Sequence, residues 1–221
     1  MTDAPGFPLT DRFTQALILA VRWHHGHYRD AGPEEQSHLP YLSHVLGAVA
    51  VALDHGASED EAIATLLHSA LTRPSQAEQR ADNLRGELLD RFGLRVTVLV
   101  DDAADWQQRA LTPADRLNAS AVLMLAADHL THNRHLLGEL LQLPAEQRSD
   151  YFALFGSSAL VTLRRQQAVA EQLAATPALS KRPRLSGLIQ QLNQSVDALA
   201  SACDLRPRQL REGQQRQSLN P

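Results

Sequence analysis

The chain has 221 residues and a formal net charge of −4, with 43% hydrophobic and 21% charged residues. These proportions are typical of a globular protein and exclude a disordered chain, and no apolar run approaches the ~20 residues that a bilayer requires. The acidic balance provides no basic surface, so we expect neither nucleic acid nor a membrane as a partner. The single cysteine, Cys203, excludes an intrachain disulfide, so any metal ligands must be His, Asp or Glu.

The length fits one domain, which we place at residues 1–203. Residues 204–221 contain few large apolar side chains and are expected to form a mobile C-terminal tail. Residues 1–7 lack the basic and apolar regions of a secretory signal, so the cytoplasm is the expected location.

Apolar residues recur at helical spacing through nearly the whole chain, which predicts an all-α fold. The predicted helices cover 10–28, 41–54, 59–72, 76–91, 94–108, 113–141, 145–175 with a break near Gly156, and 184–202. Two pairs have capping-box spacing and predict helix starts: Ser58 with Glu61 and Thr112 with Asp115. Three glycines are expected at helix ends: Gly56, Gly93 and Gly156.

Apolar positions on the first helices are expected in the core because they share helical faces. They are Leu17, Ala20, Val21, Val45, Val49, Ala52, Ile63, Leu66 and Leu67. In the last helix an apolar face has 3-4-4-3 spacing, which suits a packed helix or a homo-oligomer interface equally well. Its members are Leu185, Leu188, Leu192, Val196 and Leu199.

Four short segments carry side chains that bind metals, and each lies in a helical context. They are HHGHYR at 24–29, PYLSH at 40–44, LLHS at 66–69 and AD at 127–128. Histidines and carboxylates on separate helices can converge on one ion in a bundle core. The pattern therefore indicates a candidate metal site, although a single buried histidine is more often a hydrogen-bonded core residue.

In order and spacing, these segments resemble the HD-domain hydrolases of the RelA/SpoT type, and the small stand-alone alarmone hydrolases are closest in size. The resemblance implies an HD-domain-like helical bundle. In that family the domain binds one divalent cation, usually manganese, and removes pyrophosphate from the 3′ position of guanosine tetra- and pentaphosphate. By this resemblance His44, His68 and Asp128 would be metal ligands.

Other positions would serve the substrate or replace a ligand. The resemblance places Arg29 and Tyr41 beside the nucleotide, with His24 and His27 as further candidates there. Arg29 could equally pair with Asp30 or Glu34 at the surface. His132 lies four residues after Asp128 on the same helix face and is a candidate substitute ligand, although His129, His132 and His135 are more simply surface residues.

Among the positions that depart from the family pattern, three concern the metal and the attacking water. Ser69 stands where the family has the aspartate of its His-Asp doublet, and Thr72 and Arg73 stand where it has an acidic pair that positions the attacking water. A neutral hydroxyl weakens the binding of a hard cation. Loss of a positioned general base typically lowers the rate ~100-fold to 10,000-fold.

Our leading hypothesis is therefore a diverged RelA/SpoT-type HD-domain protein with impaired or lost catalysis that acts as a binding or regulatory module. The alternative is an active metal-dependent nucleotide pyrophosphohydrolase that uses His44, His68, Asp128 and a substitute ligand. Manganese or zinc is the expected cofactor, and binding of no metal stays open. The expected partner is a nucleotide or another phosphorylated small molecule, and self-association is a further alternative.

Overall fold

The chain is helical throughout the parts that the computed structural model describes, which are residues 8–29, 39–69, 78–108, 117–206 and 209–210. The α-helices are α1 Asp11–Trp23, α2 Tyr41–Asp54, α3 Glu59–Leu67, α4 Glu78–Gln108, α5 Ala119–Gln142, α6 Ala159–Ala174 and α7 Pro183–Ala202. Short 3₁₀ helices cover Ala145–Gln147, Asp150–Phe155 and Pro177–Lys181. Within these ranges the only β pairing is an isolated bridge between Tyr28 and Pro40, and the all-α prediction is confirmed.

Local side-chain chemistry sets several helix ends. Ser58 Oγ accepts a hydrogen bond from Glu61 N, and Glu61 Oε2 accepts one from Ser58 N, so the predicted capping box is present. Gly93 has a φ of 82° and separates the two halves of α4, as the two predicted helices require. Gly156 has a φ of 67° and ends a 3₁₀ helix.

Several predicted helices have different bounds. The helix predicted over 59–72 ends at Leu67, and residues 70–72 lie outside the described part. The first ends at Trp23 because Gly26 (φ 72°) turns the chain, after which Arg29 N donates to Leu39 O at 3.0 Å. The helix predicted from 113 begins at Ala119, where the Asn118 side chain caps it. Thr112 and Asp115 lie outside the described residues, and 3₁₀ turns replace α-helix over most of 145–155.

Helix α5 occupies the centre of the molecule and packs against α2, α6 and α7, while α3 packs against α1, α2 and α4. The α5 residues 121–128 are all buried, which explains why apolar side chains surround that part of the helix. The apolar face of α7 is buried in the same core rather than exposed: Leu185, Leu188, Leu192, Val196 and Leu199. That face is therefore a packed one within the chain.

The predicted core residues are buried or partly buried with one exception. Val21 is 46% exposed, so its core assignment is wrong. The buried stripe of α1 consists of Ala16, Leu19 and Ala20, and Val21 lies beyond the edge of that stripe.

Part of the predicted tail is described. Leu210 is fully buried, and Arg164 Nε donates to Gln209 O at 3.1 Å. Residues 211–221 lie outside the described part, so the mobility of the tail stays a prediction. In the described ranges no helix combines the length and the hydropathy needed to cross a membrane.

Candidate functional site

Three of the predicted metal ligands meet in the core. His44 on α2 and His68 just after α3 both point at Asp128 on α5. The Nε2 atom of His44 lies 2.8 Å from Asp128 Oδ1, and the Nε2 atom of His68 lies 3.4 Å from the same oxygen. All three residues are at most 8% exposed, so their interactions are shielded from solvent.

Hydrogen bonding orients the His68 ring. Its Nδ1 lies 2.9 Å from the backbone oxygen of Thr65, so Nδ1 carries a proton and Nε2 faces Asp128. Burial lowers the pKa of His68, but the Asp128 carboxylate and the two hydrogen bonds outweigh this effect and raise it above its ordinary value.

The same contacts keep Asp128 ionised. Burial raises the pKa of its carboxyl, but the charge of His68 and hydrogen bonds from His44 and His68 hold that pKa well below its usual range. A buried carboxylate is thus present at neutral pH, compensated by two imidazoles.

The donor atoms are suited to a divalent metal, but their spacing is not. Two imidazole nitrogens and a carboxylate oxygen are the donors that zinc and manganese accept. Among the described residues, however, no group of three or more His, Cys, Asp or Glu side chains is arranged to hold an ion. The 2.8 Å contact of His44 with Asp128 is a direct hydrogen bond, whereas two ligands of a tetrahedral zinc lie roughly 3.3 Å apart.

Ser69 follows His68 but takes part in a different contact. Its side chain is buried, and its Oγ lies 3.5 Å from His24 Nε2. The His24 ring in turn lies 5.2 Å from the ring of Tyr41. Thr72 and Arg73, the other positions that depart from the family pattern, lie outside the described residues.

A cavity of about 640 Å³ opens beside the buried cluster. Of the predicted residues, Arg29, Tyr41, His44, Asp128 and His132 line it. His24, His27 and His68 are outside this lining, so the structure does not bring the first two to the cavity surface as substrate contacts.

The outer wall of the cavity joins Arg29 to two residues that the sequence does not indicate, Glu139 and Tyr151. Arg29 Nη2 lies 2.8 Å from Glu139 Oε1, and the Tyr151 hydroxyl donates to Glu139 Oε2 at 2.6 Å. Arg29 thus pairs with Glu139 on α5, while Asp30 and Glu34, the other suggested partners, lie outside the described residues. Because 110 positions separate the two partners, no local pattern could have indicated this pair.

The histidines that follow Asp128 have different surroundings. His132 is exposed to the cavity, as a surface assignment allows, while His129 and His135 are half-buried. Removal of water by the surrounding protein, together with the nearby His129 and His44, lowers the pKa of His132 to about 4. Burial also lowers the pKa of His129 and of His135. His132 is therefore uncharged at neutral pH.

Comparisons with known proteins agree with this architecture. The sequence model of the family described as HD domain matches residues 16–139, which include the three converging residues. A similar solved structure is titled "A metazoan ortholog of SpoT hydrolyzes ppGpp and plays a role in starvation responses". It shares 19% sequence identity and a TM-score of 0.55, covering 89% of this chain and 98% of that chain, which shows a common fold. No curated protein matches the sequence.

Proposed function

Because this chain belongs to the HD domain family, we propose that it is a diverged relative of the RelA/SpoT-type pyrophosphohydrolases whose catalysis is impaired or lost. In this proposal it acts as a binding or regulatory module for a nucleotide or a similar phosphorylated molecule. The proposal rests on the family match and on three residues that depart from the family pattern, Ser69, Thr72 and Arg73. The similar solved structure is titled as a ppGpp hydrolase, and this supports a nucleotide as the ligand class.

Ser69 is the observation that carries the proposal. A hydroxyl cannot supply the charge or the second carboxylate oxygen that a hard cation favours. The Ser69 Oγ atom lies 3.5 Å from His24 Nε2, and His44 forms a direct hydrogen bond with Asp128. The converging set therefore has one carboxylate, and His44 already hydrogen-bonds to it.

We expect the purified chain with added manganese to release pyrophosphate from guanosine tetraphosphate at a rate near that of the buffer alone. Pyrophosphate release is the measurement. The triple variant Ser69→Asp, Thr72→Glu, Arg73→Asp should gain at least ~100-fold, because it supplies the ligand and the base that are missing.

A control substitution on another helix tests whether any gain is specific to the site. Ser186→Asp on the exposed part of α7 adds the same side chain away from the site and should gain nothing. Wild-type turnover at an ordinary enzymatic rate of ~1 s⁻¹ or more would refute impaired catalysis.

One geometric observation favours a second candidate, a working metal-dependent phosphohydrolase. His132 lines the cavity, and its ring centroid lies 6.4 Å from that of His44, so it is the candidate for the substitute ligand beside His44, His68 and Asp128. This candidate requires stoichiometric manganese or zinc in the purified protein. Elemental analysis and a thermal shift on metal addition test it, and His132→Ala should abolish both signals.

A further inference from the structure

The outer half of the cavity is built differently from the His44–Asp128 cluster. It consists of the Arg29–Glu139 ion pair, an aromatic wall and one guanidinium. The segment after α1, helix α5, the 3₁₀ helix Asp150–Phe155 and α6 contribute them. Its charges and its shape restrict which ligand it can hold. The following argument rests on the proposed function, namely that this cavity binds a nucleotide.

The described charged groups of the lining are two guanidinium groups, Arg29 and Arg165, and two carboxylates, Asp128 and Glu139. Asp128 contacts His44 and His68, and Glu139 pairs with Arg29, so the Arg165 guanidinium is the charge left for a ligand. A polyphosphate carries several negative charges and needs more positive charge than this one guanidinium provides.

Arg29 is already engaged. Its side chain is 17% exposed and pairs with Glu139, which is 28% exposed, at 2.8 Å. The second oxygen of Glu139 accepts the Tyr151 hydroxyl at 2.6 Å, so both carboxylate oxygens have a partner. A phosphate that recruited Arg29 would leave Glu139 in a partly buried place without its cation, which opposes the exchange.

Arg165 is the other cation of the lining, and it makes no ion pair with any of the described residues. Its side chain is exposed on α6, three residues after Thr162, so the two share a helix face. The Thr162 hydroxyl lies 2.9 Å from that of Ser157, and both hydroxyls line the cavity. A guanidinium that makes no ion pair in the described part of the chain, with two hydroxyl residues on the same wall, provides an anchor for a single phosphate group.

An aromatic wall completes the cavity. The ring centroid of Tyr151 lies 5.3 Å from that of Phe155 and 5.8 Å from that of Phe152. Phe152 is buried and supports the wall, whereas Phe155 is 41% exposed. An accessible aromatic ring inside a cavity is a stacking surface for a planar base. The cavity volume is also within the ~300–1,000 Å³ typical of small-molecule sites.

We propose that this cavity binds a nucleoside monophosphate in preference to a polyphosphorylated nucleotide. Arg165 binds the phosphate. Glu139 limits the number of phosphate charges that the cavity accepts, because it keeps Arg29 in an ion pair. Glu139 and Arg165 are thus specificity-determining residues of the pocket.

Isothermal titration with a series that differs only in phosphate groups tests the proposal. Guanosine, guanosine 5′-monophosphate and guanosine tetraphosphate are titrated into the full chain with EDTA present, so that metal does not contribute. We expect the monophosphate to bind at least about tenfold more tightly than either of the others. Arg165→Gln should remove that advantage over guanosine, whereas Arg22→Gln, an exposed arginine on α1, should keep it.

Glu139→Gln should tighten guanosine tetraphosphate binding about tenfold and leave guanosine unchanged, because it releases the Arg29 charge while the amide still accepts from Tyr151. Glu146→Gln, which removes an exposed charge on a 3₁₀ helix, is the matched control. Circular dichroism melts establish that each variant is folded.

The outcomes separate the two proposals. Wild type that binds guanosine tetraphosphate as tightly as the monophosphate, or folded Arg165→Gln and Glu139→Gln variants that bind like wild type, would overturn the charge limit while leaving a nucleotide-binding module intact. Absence of binding by all three compounds at millimolar concentration would refute the proposed function and this inference together.

Discussion

Ser69 provides a direct test of the metal-site ancestry at the scale of one residue. Ser69→Asp adds a carboxylate next to His68 and should tighten manganese binding at least about tenfold, because it adds both a charge and an oxygen donor. Loss of the 3.5 Å contact with His24 costs little, since that distance is at the limit of a hydrogen bond. Isothermal titration with manganese on wild type and variant measures the change.

Ser186→Asp is the control for this substitution, because Ser186 is exposed on α7. It should leave the manganese affinity as it is in wild type. If Ser69→Asp folds normally and binds no more manganese than wild type, His44, His68 and Asp128 do not surround a common ion position.

Only the buried half of the candidate site could be predicted from the sequence. The convergence of His44, His68 and Asp128 could be anticipated because the resemblance supplied their order and spacing. The pairing of Arg29 with Glu139 could not, since long-range ion pairs leave no local signal. The aromatic spacing of Tyr151, Phe152 and Phe155 was a signal available in the sequence, but a 3₁₀ segment does not follow the helical period used to find faces.

At the scale of elements, α2 and α5 approach closely at Gly47. A Cβ built there would lie 2.8 Å from Thr131 Cγ2. Gly47→Ala should therefore lower the free energy of unfolding by about 1–3 kcal/mol, even though alanine is the better helix former by about 1 kcal/mol. Urea unfolding monitored by circular dichroism measures the difference.

Two further variants identify the cause. Thr131→Ser in the Gly47→Ala background removes the clashing methyl and should recover most of the lost stability. Gly138→Ala on α5 meets no atom within 4 Å and should stabilise by about 0.5–1 kcal/mol. A Gly47→Ala protein at least as stable as wild type would show that the two helices separate easily.

Capping chemistry made some helix ends predictable and others not. The Ser58–Glu61 box could be identified from spacing because both partners lie within four residues. The end of α1 at Trp23 could not, because it depends on a turn at Gly26 and on pairing with the chain near Pro40. Helix ends that depend on a contact distant in sequence are therefore where the predicted bounds fail.

At the scale of the whole molecule, Glu61 links parts of the chain 121 positions apart. Its side chain is 1% exposed and accepts hydrogen bonds from Arg182 Nη1 at 2.8 Å and Nη2 at 3.0 Å. The Oε2 atom also caps α3 through Ser58 N at 2.7 Å. One carboxylate therefore joins the start of α3 to the N-cap of α7, and its ionisation contributes to the stability of the whole fold.

The pH dependence of stability follows from this carboxylate. Burial raises the pKa of Glu61, but the hydrogen bonds from Arg182, Ser120 and Ser58 and the Arg182 charge outweigh that effect and lower it below 4.5. A depressed folded-state pKa contributes stability that is fully present above the unfolded-state value of about 4.5 and is lost as pH falls through the folded-state pKa. Arg182→Met should therefore lower the free energy of unfolding by about 2–4 kcal/mol at pH 7, because Glu61 stays buried without its cation.

Below pH 4 the difference between wild type and Arg182→Met should shrink, since protonated Glu61 needs no cation. Arg184→Met, two residues further along α7 and exposed, should leave the pH profile of wild type unchanged. Denaturant unfolding at pH 7, 5 and 3.5 provides the three profiles. A destabilisation by Arg182→Met that is equal at all three pH values would mean that Arg182 acts through packing of its aliphatic chain, and that Glu61 does not couple the two halves of the fold by charge.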